Sequence, residues 1–507
     1  MTSHDDRADP PAEAAPAAPQ RPGLTREARR AVLVVLMGAI LAFLDSTVVN
    51  VALRHLSVDF DASLDTVQWV VTSYLLALAA VTPVSAWAAR RFGPRRLYAW
   101  ALAIFTVASA LCGFASSAET LILFRTLQGV GGGLMMPVGQ MILVRAAGPQ
   151  GLARVMSAIG VPMVLTPVFG PTVGGLLLDH AGWEWIFWIN VPVGVLALYL
   201  AVRLLPRDDA GEAAGPLDVP GLLLVSVGVV GVTYGLARAG MEGTLISAEV
   251  LLPFLVGLAL TTVFVLRSLR VEHPLLDLRL YRNRMFGAAS FATFVMGTAI
   301  FGGMILMPLY FQVVRHEDAV RTGMLLAPQG LGAAVGMFLA GRLFERIGSL
   351  TAVIGGVVCV AATLPFVLIS AGSSYWLLGV AMVARGFGIG MAGMPAMTAA
   401  FRALAPSQVN DATPQLNMLQ RIGGSMGTAL FVVVLQQHLD DAGGRASEQA
   451  SGFGVTFVWV LAASALAILP AVLMTAMERG AKPAPDESAD ADPAPGPDTH
   501  SRGAPAV

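Results

Sequence analysis

Apolar residues occur along the chain in long runs, which short polar segments separate. A run of about 20 apolar residues can cross the hydrocarbon core of a bilayer as a helix. Fourteen such runs are present, and a count of twelve or thirteen is the alternative, depending on spans 7 and 8. The pattern predicts an all-α membrane protein with fourteen transmembrane helices. The predicted spans lie near 31–53, 66–89, 97–117, 120–144, 152–178, 185–205, 218–238, 249–268, 285–312, 322–341, 350–372, 374–400, 411–437 and 454–476.

Composition supports this class of protein. The 507-residue chain is 55% hydrophobic and 13% charged, with a mean hydropathy of +0.69, whereas soluble domains carry about 25% charged residues. Residues 1–29 and 478–507 are rich in Ala, Pro and charged residues. The first tail lacks the short apolar core of a signal peptide. We expect both tails to be disordered.

Basic residues are unevenly divided between the two sides of the predicted membrane. If the N-terminus is inside, the tails and the loops on that side hold 24 of the 32 Lys and Arg residues, and the opposite loops hold five. Positive charge marks the cytoplasmic side of a membrane protein. We therefore expect a protein of the cell membrane with both termini in the cytoplasm.

The two ends of the span pattern repeat each other. Arg125 and Arg385 are each followed by several glycines and a proline, and ARRFG at 89–93 corresponds to FERIG at 344–348. Glycine-rich segments in spans 5 and 13 give a third match at the same offset of eight spans. Such repeats are typical of transporters that bind their substrate near the midplane between the halves. The predicted units are a six-helix bundle over 30–206, an inserted helix pair with its linker over 207–284, and a second six-helix bundle over 285–477.

The linker between the inserted pair and the second bundle, residues 267–284, carries five arginines among its leucines. It fits an amphipathic stretch at the cytoplasmic interface, and it fits a plain basic loop equally well. The sequence leaves both interpretations open.

Span 5 contains a segment, Gly160 to Gly175, with four glycines and three prolines. In a membrane, neighbouring helices can satisfy backbone groups that proline frees, and small residues let two helices approach closely. The composition predicts a flexible, closely packed joint of the kind that a transporter needs. The expected hinge residues are Gly160, Pro167, Gly170, Pro171, Gly174 and Gly175.

Asp45 is the one acidic residue that lies well inside a predicted span. An ionisable group at that depth costs roughly 2.5–3.5 kcal/mol even on the lenient insertion scale. A carboxyl group between apolar surroundings and a nearby cation can bind and release a proton as the protein changes shape. We expect Asp45 to carry a proton; a purely structural, hydrogen-bonded aspartate is the alternative.

Arg125 is the expected partner of Asp45. The two residues lie at similar distances from the outer ends of spans 1 and 4, so their backbones differ in depth by about 4–5 Å. An arginine side chain can cover that distance, and we expect Arg125 to be near Asp45 in one conformation and further away in another. The alternative, which does not exclude the first, is that Arg125 binds backbone carbonyl groups and holds helices together.

Further polar residues in the spans are candidates for a substrate cavity. Arg385 and Arg421 lie deep without an acidic partner at the same depth, and they would contact an anionic substrate group or, alternatively, carbonyl groups of glycine-rich helices. The six main candidates are Asn50, Gln128, Gln312, Arg385, Gln415 and Arg421, and Asn417 and Gln420 are further polar candidates on span 13.

These motifs resemble those of the major facilitator superfamily, and within it the fourteen-span drug:proton antiporter branch that includes multidrug efflux pumps. The resemblance covers residues 30–477. It implies two six-helix bundles that expose a central site to each side in turn, with Asp45 as the proton carrier and Arg125 taking part in proton transfer. The matching segments are LDSTVVNVAL at 44–53, RTLQGVGGG at 125–133, the Gly160–Gly175 antiporter motif and WEWIFWINVP at 183–192.

The resemblance also implies gating contacts in the loops after spans 2 and 10. The residues concerned are Arg91, Gly93, Glu345, Arg346 and Gly348. The first of these loops departs from the family, because Ala86 and Arg90 replace its usual glycine and acidic residue. We therefore do not expect the first loop to form the ion pair that latches the two halves of family members together.

The function implied is that of a proton-coupled antiporter that exports hydrophobic small molecules, such as drugs or antibiotics. A dedicated exporter of one self-made metabolite is an alternative, and a membrane-embedded lipid-modifying enzyme or a non-transporting sensor is a more distant one. The expected partners are the substrate, protons and membrane lipid, without nucleic acid, cofactor or metal, and the expected functional unit is a monomer. A nucleotide-binding loop of the GxxxxGK[ST] type is absent from the sequence, which disfavours ATP as the direct energy source.

Overall fold

A computed structural model describes residues 24–208, 215–441 and 445–480 of the chain. Within them every regular element is helical. Thirteen helical segments are long and apolar enough to cross a membrane, and the fifth predicted span lies on a further helical segment. The all-α prediction is therefore confirmed for the described residues, and the predicted spans coincide with helices.

The first half contains seven helices, of which some pair end to end into one span. They are α1 (Arg26–Asp59), α2 (Leu64–Val81), α3 (Ser85–Phe92), α4 (Pro94–Cys112), α5 (Ala118–His180), α6 (Glu184–Trp188) and α7 (Asn190–Leu204). A single 3₁₀ turn joins α2 to α3. The inserted pair is α8 (Val219–Glu242) and α9 (Ala248–Ser268). The second half contains α10 (Arg284–Leu309), α11 (Ala319–Ile347), α12 (Leu350–Val367), α13 (Tyr375–Arg402), α14 (Val409–Asp441), α15 (Ala446–Leu466) and α16 (Ile468–Gly480).

Spans 4 and 5 form one helical element that bends at Gly148. Gly148 has φ +61° and ψ 179°, a backbone conformation that glycine adopts without the penalty of a Cβ. The start of α5 is fixed by a reciprocal cap, in which Ser117 Oγ accepts from the Thr120 N–H and Thr120 Oγ1 accepts from the Ser117 N–H. The bend at Gly148 therefore separates the two predicted spans.

The helices pack in a similar way in the two halves of the chain. In the first half α1, α2 and α4 pack on α5, and in the second half α11 and α12 pack on α13 while α10 packs on α14. The halves meet where α5 contacts α11 and where α14 contacts α3. The inserted helix α8 packs on α9 and also contacts α2 and α14, so it lies against both halves.

The linker after α9 is amphipathic. It contains a short 3₁₀ helix, Leu278–Arg282. Leu275, Leu276 and Leu280 are buried, whereas Arg279 and Arg282 are exposed. Of the two interpretations of this segment, the amphipathic one agrees with this burial pattern.

Candidate functional site

The carboxylate of Asp45 lies inside the first bundle and is surrounded by hydrogen-bond donors. The residue is 1% exposed. Its Oδ2 accepts from Arg125 Nη1 at 2.6 Å, and its Oδ1 accepts from Gln128 Nε2 at 2.8 Å and from Asn190 Nδ2 at 3.0 Å. Buried charges persist in proteins when they are paired and hydrogen-bonded. Asp45 meets both conditions through helices α5 and α7.

Arg125 makes both kinds of contact that its sequence position suggested. Besides the ion pair with Asp45, its Nε donates to the carbonyl oxygen of Val70 on α2 at 3.1 Å. Its guanidinium also lies over the ring of Tyr74, 4.2 Å from the ring centre. Its Nη2 has no hydrogen-bond partner among the described residues. Arg125 thus joins α1, α2 and α5 at one point, and the N–H groups of its Nη2 are still unpaired within the described part of the chain.

Gln128 belongs to the Asp45 cluster and not to a separate substrate cavity. It is fully buried one helical turn after Arg125. Its Oε1 accepts from Arg125 Nη1 at 2.7 Å while its Nε2 donates to Asp45. The amide therefore connects the two charges. In this conformation Gln128 does not face an open cavity.

Asn190 is the member of the cluster that sequence reasoning missed. It is 1% exposed at the start of α7, and its Nδ2 donates to Ser109 Oγ on α4 as well as to Asp45. A usable signal was present, because Asn190 is the one amide side chain inside the span 6 motif WEWIFWINVP. The asparagine of this motif is a buried hydrogen-bond donor as well as part of a family signature.

The glycines of the Gly160–Gly175 segment face two different neighbours. A Cβ added to Gly160 would lie 2.6 Å from Met337 Sδ on α11, in the other half of the molecule. A Cβ added to Gly170 would lie 2.2 Å from Thr47 Oγ1, and one added to Gly174 would lie 3.1 Å from Val48 Cγ1. Both of these contacts are with α1, close to Asp45. The segment therefore packs closely against both the second half and the turn of α1 that carries the carboxylate.

The same segment is helical throughout, since the one non-helical residue of α5 is Gly148. Gly175 has open space around its Cα, with nothing within 4 Å of an added Cβ. Pro167 and Pro171 lie in the helix, but their side chains fall outside the described residues. The hinge role of this segment stays a prediction.

Four of the polar contacts between described residues of the two halves lie at the end of the molecule where α3 and α14 meet. Arg90 pairs with Asp411 and Arg154 pairs with Glu345, both at 2.6 Å. The other two are hydrogen bonds, from Asn417 Nδ2 to Gln140 Oε1 at 2.7 Å and from Arg145 Nη2 to Asn410 Oδ1 at 3.3 Å. These contacts hold that end of the molecule closed.

The pair between Arg90 and Asp411 corrects an expectation. The loss of the acidic residue after span 2 predicted a first loop without an ion pair to the other half. Instead Arg90 replaces the acid with a base, and an acid in the first turn of α14 receives it. The polarity of the contact is reversed, and the contact itself is present.

The other predicted gating residues take different roles. Gly93 and Gly348 have φ of +85° and +59° at the ends of α3 and α11, so each needs glycine for its turn. Glu345 forms the pair with Arg154. Arg91 and Arg346 are exposed.

The six candidate cavity residues do not share one cavity in this conformation. Asn50 and Gln312 are exposed, and Gln128 is part of the Asp45 cluster. Arg385 lies inside the second bundle, and Gln415 lies beside the linker after α9. Arg421 is partly exposed on α14. Their role in a substrate cavity stays a prediction; this conformation separates them because depth along a span does not determine which face of the helix a side chain occupies.

The second half keeps the arginine of the repeat but not its acid. Arg385 is 1% exposed, and its Nε and Nη1 have no partner among the described residues. Its Nη2 lies 2.3 Å from the position of a Cβ on Gly303. Gly303 stands as far from the start of α10 as Asp45 does from the start of α1. The acid of the first half is thus replaced by a glycine in the second.

Comparison with known proteins agrees with this architecture. The family model described as Major Facilitator Superfamily matches residues 35–428. The chain is 41% identical over 406 residues to the multidrug resistance protein B homolog of Mycobacterium tuberculosis, covering 79% of this chain and 75% of that protein. It is 33% identical to the methylenomycin A resistance protein of Bacillus subtilis, covering 89% of this chain and 95% of that protein.

Solved structures give the same fold. The human organic anion transporter MFSD10 superposes with a TM-score of 0.62 at 15% identity, over 89% of this chain and all of that one. The proton:xylose symporter XylE superposes with a TM-score of 0.59 at 13% identity, over 87% of this chain and 95% of that one. The chain belongs to the Major Facilitator Superfamily, in its branch of drug:proton antiporters.

Proposed function

We propose that this protein exports hydrophobic small molecules across the cell membrane in exchange for protons. The observation that carries the proposal is the buried Asp45, whose carboxylate is held by Arg125, Gln128 and Asn190. The relatives that share its branch include proteins named for multidrug resistance and for resistance to a single antibiotic. The positive charge bias of the loops supports cytoplasmic termini.

Proton binding at Asp45 gives a direct way to drive a conformational change. Leaving one partner of a buried ion pair alone costs about 3–5 kcal/mol. When Asp45 takes up a proton, Arg125 becomes that unpaired charge, and a state in which Arg125 finds another partner becomes favoured. A change of about 1.4 kcal/mol alters a conformational equilibrium tenfold, so the cost is large enough to move the two halves.

The contacts across the closed end define the other part of the cycle. With the termini in the cytoplasm, the pairs Arg90–Asp411 and Arg154–Glu345 lie on the cytoplasmic side. A conformation closed there receives protons from outside. Opening requires both ion pairs to separate, and loss of the proton to the cytoplasm accompanies the export of the bound compound.

Asp45→Asn in proteoliposomes is the test of this proposal. The variant keeps the size of the side chain, and we expect it to lose efflux of ethidium driven by a pH gradient. The matched control is Asp59→Asn, which removes an exposed carboxylate at the end of the same helix. Both proteins are checked for a single peak in size-exclusion chromatography. Undiminished gradient-driven efflux by Asp45→Asn would overturn the proposal.

Export of one dedicated compound is a second candidate. It is favoured by the resemblance to the methylenomycin A resistance protein, whose name gives a single antibiotic. A susceptibility panel of dyes, quaternary amines and acidic antibiotics, measured in a host that lacks other pumps, separates the two. Protection against one class alone supports dedicated export, whereas protection across classes supports a multidrug pump.

A further inference from the structure

A large apolar cavity lies between the inserted helices and the second half. Its volume is about 650 Å³, within the range of sites that bind a small molecule. Its walls come from α8, α9, the linker, α10 and α14, and most of the lining side chains are apolar. They include Val229, Phe264, Leu276, Phe291 and Met418. The site lies away from the Asp45 cluster, which is formed by α1, α5 and α7.

Gln415 supplies an unpaired acceptor to this apolar wall. The residue is 3% exposed, and its Nε2 donates to the carbonyl oxygens of Asp277 at 3.2 Å and Asp411 at 3.0 Å. Two carbonyl acceptors around one nitrogen fix the orientation of the amide. Its Oε1 is buried without a partner among the described residues. A buried acceptor left unpaired costs about 1–3 kcal/mol, so an occupant with a hydroxyl group or another donor is favoured there.

The 3₁₀ helix of the linker borders the cavity and carries two exposed arginines. In a helix with three residues per turn, residues i and i+3 share one face. Leu278 and Tyr281 accordingly line the cavity together. Arg279 and Arg282 share the neighbouring face, where both are exposed. Arg279 donates to the carbonyl oxygen of Val271, and neither arginine has an ion-pair partner in the part of the chain that the structure describes.

Apolar walls, a buried acceptor beside the linker and two exposed arginines next to the cavity fit the three parts of one kind of molecule. We propose that the cavity binds a membrane phospholipid with an anionic, hydroxyl-bearing head group, namely phosphatidylglycerol. An acyl chain fills the apolar space, the head-group hydroxyl donates to Gln415 Oε1, and the phosphate lies at Arg279 and Arg282. Basic pockets between transmembrane helices are sites where anionic head groups bind.

This occupant would connect the inserted pair to a helix that moves during transport. Side chains of α14 line the cavity, and the first turn of the same helix carries Asp411, which pairs with Arg90 of the first half. A lipid held between α8, α9 and α14 stabilises the packing of the inserted pair on the second half. The inference concerns lipid binding and does not depend on proton coupling at Asp45.

Native mass spectrometry of the purified full-length protein tests the proposal. We expect phosphatidylglycerol to bind with at least tenfold higher affinity than phosphatidylcholine, which has no net negative charge and no head-group hydroxyl. Replacing both of these linker arginines, Arg279→Gln with Arg282→Gln, should weaken phosphatidylglycerol binding roughly tenfold or more. The matched control is Arg29→Gln with Arg30→Gln, which removes the same charge from exposed positions at the start of α1.

A cavity-filling variant tests the place of binding. Gly287 lines the cavity, and a Cβ added there meets nothing closer than 3.8 Å. Gly287→Phe should therefore be accommodated and should abolish the specific binding, whereas Gly287→Ala should leave it nearly unchanged. Equal retention of the two lipids, or full phosphatidylglycerol binding by a monodisperse Gly287→Phe protein, would overturn the proposal. Displacement of the lipid by an exported compound at equimolar concentration would assign the cavity to substrate instead and would also overturn it.

Discussion

Arg90 Nη1 lies 2.6 Å from Asp411 Oδ1, and the contact joins the end of α3 in the first half to the first turn of α14 in the second. The two side chains are 20% and 17% exposed, so solvent screens the pair only partly. An acidic residue in the first turn of a helix is also favoured by the helix dipole. The pair explains how this chain can lack the usual acidic residue after span 2 and still hold its halves together.

Reversing the charge at position 90 should open the end of the molecule where Arg90 pairs with Asp411. Arg90→Asp places two carboxylates at the latch, and we expect faster maleimide labelling of Gln140→Cys, a site that is 3% exposed between the halves. The background carries Cys112→Ala and Cys359→Ala. Adding Asp411→Arg should restore slow labelling in part, because a base in the first turn of α14 opposes the helix dipole. Arg29→Asp is the control, and equal labelling of all variants would contradict the latch.

Asn190→Leu should alter the pH dependence of efflux. A hydrogen bond to a charged group contributes about 1.5–3 kcal/mol, so loss of the Asn190 donor makes the ionised form of the carboxylate less stable. More protein is then protonated at a given pH, and the efflux profile should move to higher pH. The measurement is the initial rate of ethidium efflux from proteoliposomes between pH 6 and pH 9.

Asn50→Leu provides the comparison for that experiment. Asn50 is an exposed asparagine on α1, and its Nδ2 donates to the carbonyl oxygen of Ser46. We expect its pH profile to match that of the unmodified protein. A profile for Asn190→Leu that falls in rate without moving along the pH axis would indicate a packing role for Asn190.

Close packing at Gly170 should be needed for transport. In Gly170→Ala the new methyl group meets Thr47 Oγ1 at 2.2 Å, and Thr47 is held by bonds to the carbonyl oxygens of Phe43 and Leu44. Overpacking of this kind costs about 1–3 kcal/mol, and we expect slower efflux together with a lower melting temperature. Gly175→Ala has open space and should behave as the unmodified protein.

A second substitution separates this contact from a general intolerance of alanine. Thr47→Ala removes the hydroxyl that clashes, so the double variant with Gly170→Ala should recover part of the lost efflux. Failure of Thr47→Ala to improve Gly170→Ala would show that the contact with α1 is not the cause.

Replacing the two arginines of the repeat, Arg125 and Arg385, should change the melting temperature of the protein in opposite directions. Arg125→Met leaves Asp45 as a buried unpaired charge, which costs about 3–5 kcal/mol, so its melting temperature should fall. Arg385→Met removes a buried guanidinium with two unpartnered nitrogens, each unmet donor costing about 1–3 kcal/mol, so its melting temperature should rise. A fall of equal size in both variants, measured by a thermal unfolding assay in detergent, would contradict this difference.

A large part of the architecture could be read from local patterns. The hydropathy of a span depends only on the residues of that segment. The spans could therefore be predicted from sequence, and they coincide with the helices of the structure. Asp45 was found because an acid inside an apolar run is conspicuous in sequence, and Arg125 was found because depth along a helix follows from a rise of 1.5 Å per residue. Equal depth made an ion pair between them possible, and the packing of α1 on α5 brings the two side chains together.

The face of a helix that each side chain occupies could not be predicted from local patterns. Depth along a span is local, but the face that a side chain occupies depends on how the helices rotate and pack against one another. The six candidate cavity residues were grouped by depth and polarity, and the structure separates them. Gln128 and Asn50 illustrate this, since one is buried against Asp45 and the other is exposed.

Local sequence patterns were enough to predict a helical membrane protein with a repeated pattern, one deep acid and one arginine at matching depth. Only the packing of the helices shows that Asn190, 145 residues from Asp45, is the third donor to its carboxylate. It also shows that Arg90 meets Asp411 across 321 residues. Apolar composition is enough to place a segment in a membrane, whereas a hydrogen bond between distant segments forms only where close packing brings two polar groups to within about 3 Å.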